Sequence, residues 1–375
     1  MKKLWVGIGI VVVVILAIVV FIIQTKKEPE EIKIGAILPL TGDLATYGEN
    51  AKAGIVLLSE EVNTKGGING KKVEVVFEDS KAQPDQAVTA IQKLINVDKA
   101  LAIIGDVASS PTLAIAPIAN KNKIMVVSPA ASSPDITNAG PYIFRVWPSD
   151  VYEADRMSDF VKKEGIKTLS LFFVNNDYGR AMVQEFRKNV EGSNITIVNE
   201  ENFDQNTTDV RTQLTRIKQS NPERVYLISY PKDSVIILRQ YKEIGLKSRL
   251  LSTSSFEDPI IIRDVGKVAE GTILTSPIPP DDSDPIVSAF RRNYENRFGK
   301  KPGLVADYGY DALKVILDAF RISGEISKKG VSKGIQKIKD LKGATGTINF
   351  DKNGDVIKPA GIKIVKQGKY VWLEK

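Results

Sequence analysis

The 375-residue chain contains neither cysteine nor histidine. Without cysteine there is no disulfide, thiolate metal site or cysteine nucleophile, and no cysteine to carry a lipid. Without histidine the commonest general base, the commonest metal ligand and the usual pH switch are missing. Few enzymes manage without both. Near Asp106–Thr112 and Ser128–Pro134 nothing looks like a nucleophile with its base, so the sequence reads as holding a small molecule, not transforming one, with no cofactor or metal. Charge of one sign is not concentrated either. The 52 Lys and Arg against 45 Asp and Glu leave a net charge of +7. This excess is scattered, with no basic cluster interleaved with aromatics, and nucleic acid is not an expected partner.

One long hydrophobic run is present. From Leu4 to Ile23 the chain is apolar, matching the roughly 20 residues that cross a hydrocarbon core of about 30 Å. Lys2 and Lys3 precede it, Lys26 and Lys27 follow, and no small-residue cleavage signal stands between. The expectation is an uncleaved N-terminal transmembrane helix, basic end inside, that anchors the remainder to the cell membrane on its extracytoplasmic face. The alternative is a cleaved signal peptide and a secreted or periplasmic protein.

After residue 31 the chain is too long for one core and comfortable for two. Short apolar runs alternate with helical patterns: strand Ile32 to Leu38, helix Tyr47 to Val62, strand Lys72 to Asp79, a helix striped by Ala87, Ile91, Leu94 and Ile95, then strand Leu101 to Ile104. A comparable series restarts after Asp150, with strands Thr168 to Val174, Ile195 to Val198 and Val225 to Tyr230. This alternation predicts α/β architecture: two doubly wound parallel sheets with helices on both faces. Breaks near Tyr142–Asp150, Thr275–Pro285 and Thr345–Asp355 imply three crossings between two lobes. The boundaries follow as 1–31 for the N-terminal segment, 32–148 with 279–348 for lobe 1, and 149–278 with 349–375 for lobe 2.

Two serine-rich stretches follow strand-like runs: Asp106-Val-Ala-Ser-Ser-Pro-Thr112 and Ser128-Pro-Ala-Ala-Ser-Ser-Pro134. The first opens a helical pattern, with Ser109 or Ser110 as the expected N-cap and Pro111 in the first turn. Hydroxyls and free N–H groups there form a ready site for a small anion.

Further motifs give the chain a resemblance. Gly35-Ala-Ile-Leu-Pro-Leu-Thr-Gly42, Tyr47-Gly48, Asn63-Thr-Lys-Gly-Gly-Ile-Asn-Gly70, Ser128-Pro129, Asn176-Asp-Tyr-Gly179, Ala269-Glu-Gly271 and Tyr308-Gly-Tyr-Asp-Ala312 occur in this order. In order and spacing they resemble the type I solute-binding proteins, above all the leucine/isoleucine/valine-binding proteins of ABC importers, over essentially all of residues 32–375. The resemblance implies two lobes, joined by three crossovers, that close on a small ligand. It implies that Ser109 holds a ligand carboxylate with its hydroxyl and N–H, beside Ser110. Ala130 gives a carbonyl and Ser132 a hydroxyl, and Tyr47, Tyr178 and Tyr230 wall the pocket. The family's acid that pairs with a ligand ammonium falls at Ser254. Either a loop shift brings nearby Glu257 in, or the ligand has no ammonium.

Other patterns are weaker. Gly66 to Lys72 lacks the Ser or Thr and the spacing of a phosphate-binding loop. Ser229-Tyr-Pro-Lys232 fits an acylating-enzyme pattern without its companions, and Asp281-Asp-Ser-Asp284 lacks a full calcium-loop spacing. The expected function is an extracytoplasmic solute-binding subunit that gives a small carboxylated ligand, an aliphatic amino acid, to an ABC permease and its ATPase. The rival is a sensor-type protein that presents a small molecule to a separate receptor.

Overall fold

The computed structural model describes residues 31–375. The Leu4–Ile23 run, and with it the anchor or signal expected there, lies outside the described residues. Among the described residues, no helix is long and apolar enough to cross a membrane.

The chain first lays down β1 (Ile32–Leu38), α1 (Ala45–Thr64), β2 (Val73–Asp79), α2 (Pro84–Asn96), β3 (Ala102–Gly105), α3 (Ser109–Asn122), β4 (Met125–Ser128) and β5 (Ile143–Arg145). These strands form a parallel sheet in the order β2-β1-β3-β4-β5. Every residue of β3 and β4 is buried. That is why these strands read as unbroken apolar runs and not as an alternation.

The chain then crosses to a second sheet. Here α4 (Asp150–Lys163), β6 (Thr168–Val174), α5 (Asp177–Val190), β7 (Thr196–Phe203), α6 (Arg211–Ser220), β8 (Arg224–Ile228), α7 (Pro231–Ile244), β9 (Arg249–Ser252), α8 (Pro259–Val265) and β10 (Ile273–Pro277) follow in turn. Strand β7 lies at the edge. Its polar Asn199, Glu200 and Glu201 suit a position where a charged strand deters pairing with another chain.

A second crossing returns the chain to the first sheet with α9 (Pro285–Phe298), α10 (Ala306–Ser323), α11 (Lys328–Ile335) and the small hairpin β11 (Leu341–Gly343) and β12 (Gly346–Ile348). Helix α10 lies almost touching α1. A Cβ on Gly54 would meet the Ala306 carbonyl oxygen at 1.9 Å, and one on Gly309 the Ala51 carbonyl oxygen at 2.3 Å. Only glycine lets the two backbones approach this closely.

The third crossing ends in β13 (Ala360–Lys366) and β14 (Lys369–Glu374), which complete the second sheet in the order β14-β13-β10-β9-β8-β6-β7. This sheet is mixed, a correction to the expected parallel pair. Strand β13 runs antiparallel to both β10 and β14. Gln367 and Gly368 both have positive φ, which gives the two-residue turn that reverses a strand onto its neighbour.

Candidate functional site

Between the two sheets lies a cavity with about 480 Å³ of unfilled space, including its mouth. Its wall contains Tyr47, Ser109, Ala130, Ser132, Tyr178, Tyr230 and Ser254. The first four stand on the first sheet's side: Tyr47 on α1, Ser109 at the start of α3, and Ala130 and Ser132 on the loop after β4. Tyr178 opens α5, Tyr230 precedes α7, and Ser254 follows β9 on the second sheet's side. Leu44, Val107, Trp147, Leu304 and Val305 give the cavity an apolar wall.

Ser109 and Ser110 do not cap α3, as the sequence suggested. The helix begins at Ser109 itself, and the N-cap position is Ala108, which has no side chain to accept a bond. The Ser109 hydroxyl instead accepts the Ser133 N–H at 3.1 Å, leaving its own proton to give. Its backbone N–H is among the first of the helix, which have no intrahelical acceptor. Two donors therefore meet at the positive end of the α3 dipole.

The tyrosines are rigidly seated. Tyr178 and Tyr230 stack with ring centroids 5.4 Å apart. The Tyr178 hydroxyl shares hydrogen bonds with Thr253 at 2.6 Å and Ser255 at 3.2 Å. Asn176 caps α5 by accepting the Tyr178 and Gly179 N–H groups, each at 3.1 Å. Across the cavity, Trp147 packs on Tyr308 at 4.5 Å. Val305 is held at φ 75°, a conformation rarely adopted by a β-branched residue.

Two residues named from the sequence lie off this wall. Ser110 faces across the cleft, where its hydroxyl accepts the Asp177 N–H at 3.2 Å. Glu257 pairs with Lys363 and accepts the Ser276 hydroxyl at 2.7 Å. Its carboxylate is thus held in a broad outer groove between the lobes. Lys232, part of the acylating-type pattern, instead donates to the Gly42 carbonyl on the opposite lobe at 3.0 Å.

Sequence reasoning missed the buried acids around the cavity. Asp106 precedes α3 and accepts the Ala108 N–H at 2.8 Å and the Ser80 hydroxyl. Burial raises its pKa to about 7. Asp150 and Glu153, on the first turn of α4, are also pushed above the usual carboxylate range, chiefly by burial. Their only sequence signal, acids in a helix's first turn, is ordinary. Arg145, fully buried, pairs with Asp355 at 2.6 Å and donates to the Ser132 and Ser133 carbonyls, each at 2.8 Å. It thereby ties the loop bearing Ala130 and Ser132 to the third crossing.

Comparisons with known proteins agree with this architecture. The leucine-, isoleucine-, valine-, threonine- and alanine-binding protein of Pseudomonas aeruginosa is 27% identical over 87% of each chain. The crystal structure of a leucine-binding protein from Thermotoga maritima superposes with a TM-score of 0.84 at 32% identity, covering 91% of this chain and 97% of that one. A branched-chain amino acid transporter substrate-binding protein from Streptococcus pneumoniae, solved with isoleucine, gives 0.83 at 25% identity, covering 92% and 100%. The profile of the periplasmic binding protein family matches residues 31–368, and the chain belongs to that family, with its type I fold.

Proposed function

We propose that this protein is the extracytoplasmic solute-binding subunit of an ABC importer. It closes two lobes, residues 32–148 with 279–348 and residues 149–278 with 349–375, on a small carboxylated ligand, an aliphatic amino acid. The observation that carries this reading is a single cavity walled from both sheets. At one side Ser109 offers a hydroxyl proton and a helix-start N–H, the donors a carboxylate needs. Leu44, Val107, Leu304 and Val305 offer an apolar surface to an aliphatic side chain. A ligand touching both lobes stabilises the closed arrangement by its difference in affinity for the closed and open forms. Of the relatives named above, one is by name a leucine-, isoleucine-, valine-, threonine- and alanine-binding protein, one is a leucine-binding protein and one is solved with isoleucine, which supports the choice. The apolar Leu4–Ile23 segment keeps the protein at the membrane, beside its permease.

The test is titration calorimetry of the chain lacking residues 1–30, against a panel of aliphatic amino acids and the matching carboxylic acids. The expected result is saturable one-to-one binding to at least one branched aliphatic member. No heat and no thermal shift from any member contradicts the proposal.

A further inference from the structure

Two acids lie directly behind the cavity wall and play no part in the reading above. Asp150 and Glu153 sit on one face of the first turn of α4, 2% and 1% exposed. Glu153 accepts the Ser254 N–H at 2.9 Å, the Ser254 hydroxyl, and the Thr275 hydroxyl at 2.6 Å. Asp150 gives its N–H to the Ser132 carbonyl at 2.8 Å, which sets its carboxylate near the Ser132 hydroxyl. The Oδ2 atom of Asp150 is buried and has no hydrogen-bond partner. Arg145 is the cation acting on Asp150, and it is already paired with Asp355. Two buried carboxylates one helical turn apart, without a cation of their own, are strongly unfavourable. A cation arriving nearby relieves that cost.

Ser132 and Ser254 both line the cavity, one from each side. A serine that gives its proton to an acid behind it turns its oxygen lone pairs forward. The cavity therefore presents the Ser254 oxygen as an acceptor, with the Ala130 carbonyl and the Ser132 hydroxyl beside it and the acids behind. That arrangement suits an ammonium group.

We infer that Asp150 and Glu153 select a ligand bearing an ammonium group, acting through the Ser132 and Ser254 hydroxyls. Glu257 has no part in this. The inference rests on the proposed function and names the polar group its ligand must carry beside the carboxylate. Both acids are positioning residues: their charge reaches the ligand through the serines.

Two ligands of one skeleton separate this role from a structural one: leucine, and 4-methylpentanoate, which lacks the amine. Calorimetry on the wild-type protein and on Glu153→Gln and Asp150→Asn reads both affinities, with thermal melts reporting folding. Leucine is expected to bind wild type more tightly than 4-methylpentanoate. Each variant should lose roughly 10- to 100-fold in leucine affinity, with 4-methylpentanoate unchanged or tighter as a repulsive charge is removed. Equal losses for both ligands, or no loss for leucine, overturn the inference alone. Wild-type protein that binds no member of the aliphatic panel overturns the proposed function and this inference together; where it binds a member other than leucine, that amino acid and its amine-free counterpart form the pair. Should one variant fail to fold, the other decides.

Discussion

Ser109 illustrates how one side chain serves both fold and site. Its hydroxyl accepts from Ser133, which is fully buried, so Ser109→Ala orphans that N–H as well as removing a ligand donor. The expected outcome is a loss of about 1–3 kcal/mol in stability and roughly 10- to 100-fold in affinity for a carboxylated ligand. Unfolding curves and calorimetry check the two effects separately. Unchanged affinity in a folded variant refutes the carboxylate role. Asp106 gives a pH prediction. Its folded pKa, about 7, stands above the ordinary 3.8, so the native state holds a proton that the unfolded chain has released. That contribution to stability is fully present below about pH 3.8 and is lost as pH rises through about 7. Urea unfolding at pH 5 and pH 8 should therefore show a smaller drop for Asp106→Asn than for wild type. An equal or larger drop contradicts the assignment.

At the scale of elements, the sequence showed most where one force dominates. Strand Thr168–Val174 has the same bounds in sequence and structure because its residues are almost all buried and apolar. Reading failed where geometry came from elsewhere. Ser109 and Ser110 looked like caps because hydroxyls before a helix usually are, but α3 starts one residue earlier than that reading needs. The antiparallel β13 depends on where the third crossing lands, which periodicity does not record. Asp150 and Glu153 look like solvated first-turn acids until the fold buries that turn of α4, and Glu257 looked available until Lys363 came from a distant strand to meet it. Two element-scale predictions follow from contacts that sequence alone did not reveal. Gly309→Ala forces α10 away from α1 and should destabilise by about 1–3 kcal/mol, seen as a lower urea midpoint. Asp355→Ala leaves the Arg145 guanidinium buried without its carboxylate. It should cost about 3–5 kcal/mol and loosen the loop that bears Ala130 and Ser132. A midpoint within a few tenths of a kcal/mol of wild type contradicts either account.

Over the whole molecule, three contacts bridge the cleft, one of them at the cavity wall. Ser110 accepts from Asp177, Lys232 donates to Gly42, and the Tyr47 hydroxyl donates to the Ser255 carbonyl at 3.3 Å. Such contacts join the lobes only when they are closed, so they tune the closing equilibrium and through it the apparent affinity. Lys232→Ala is half-exposed and remote from the ligand. It should weaken binding by roughly 2- to 5-fold while leaving the melting temperature of the free protein unchanged. A titration showing no change, or a lowered melting temperature, contradicts a role confined to closure.

The central claim is that a carboxylated ligand is held between the lobes with its carboxylate on the start of α3. A crystal structure with leucine bound tests it most directly. The account predicts the ligand in the cavity, its carboxylate within hydrogen-bond distance of the Ser109 N–H and hydroxyl and its side chain against Leu304 and Val305. A ligand seated in the outer groove, or turned so that its carboxylate lies away from Ser109, contradicts it.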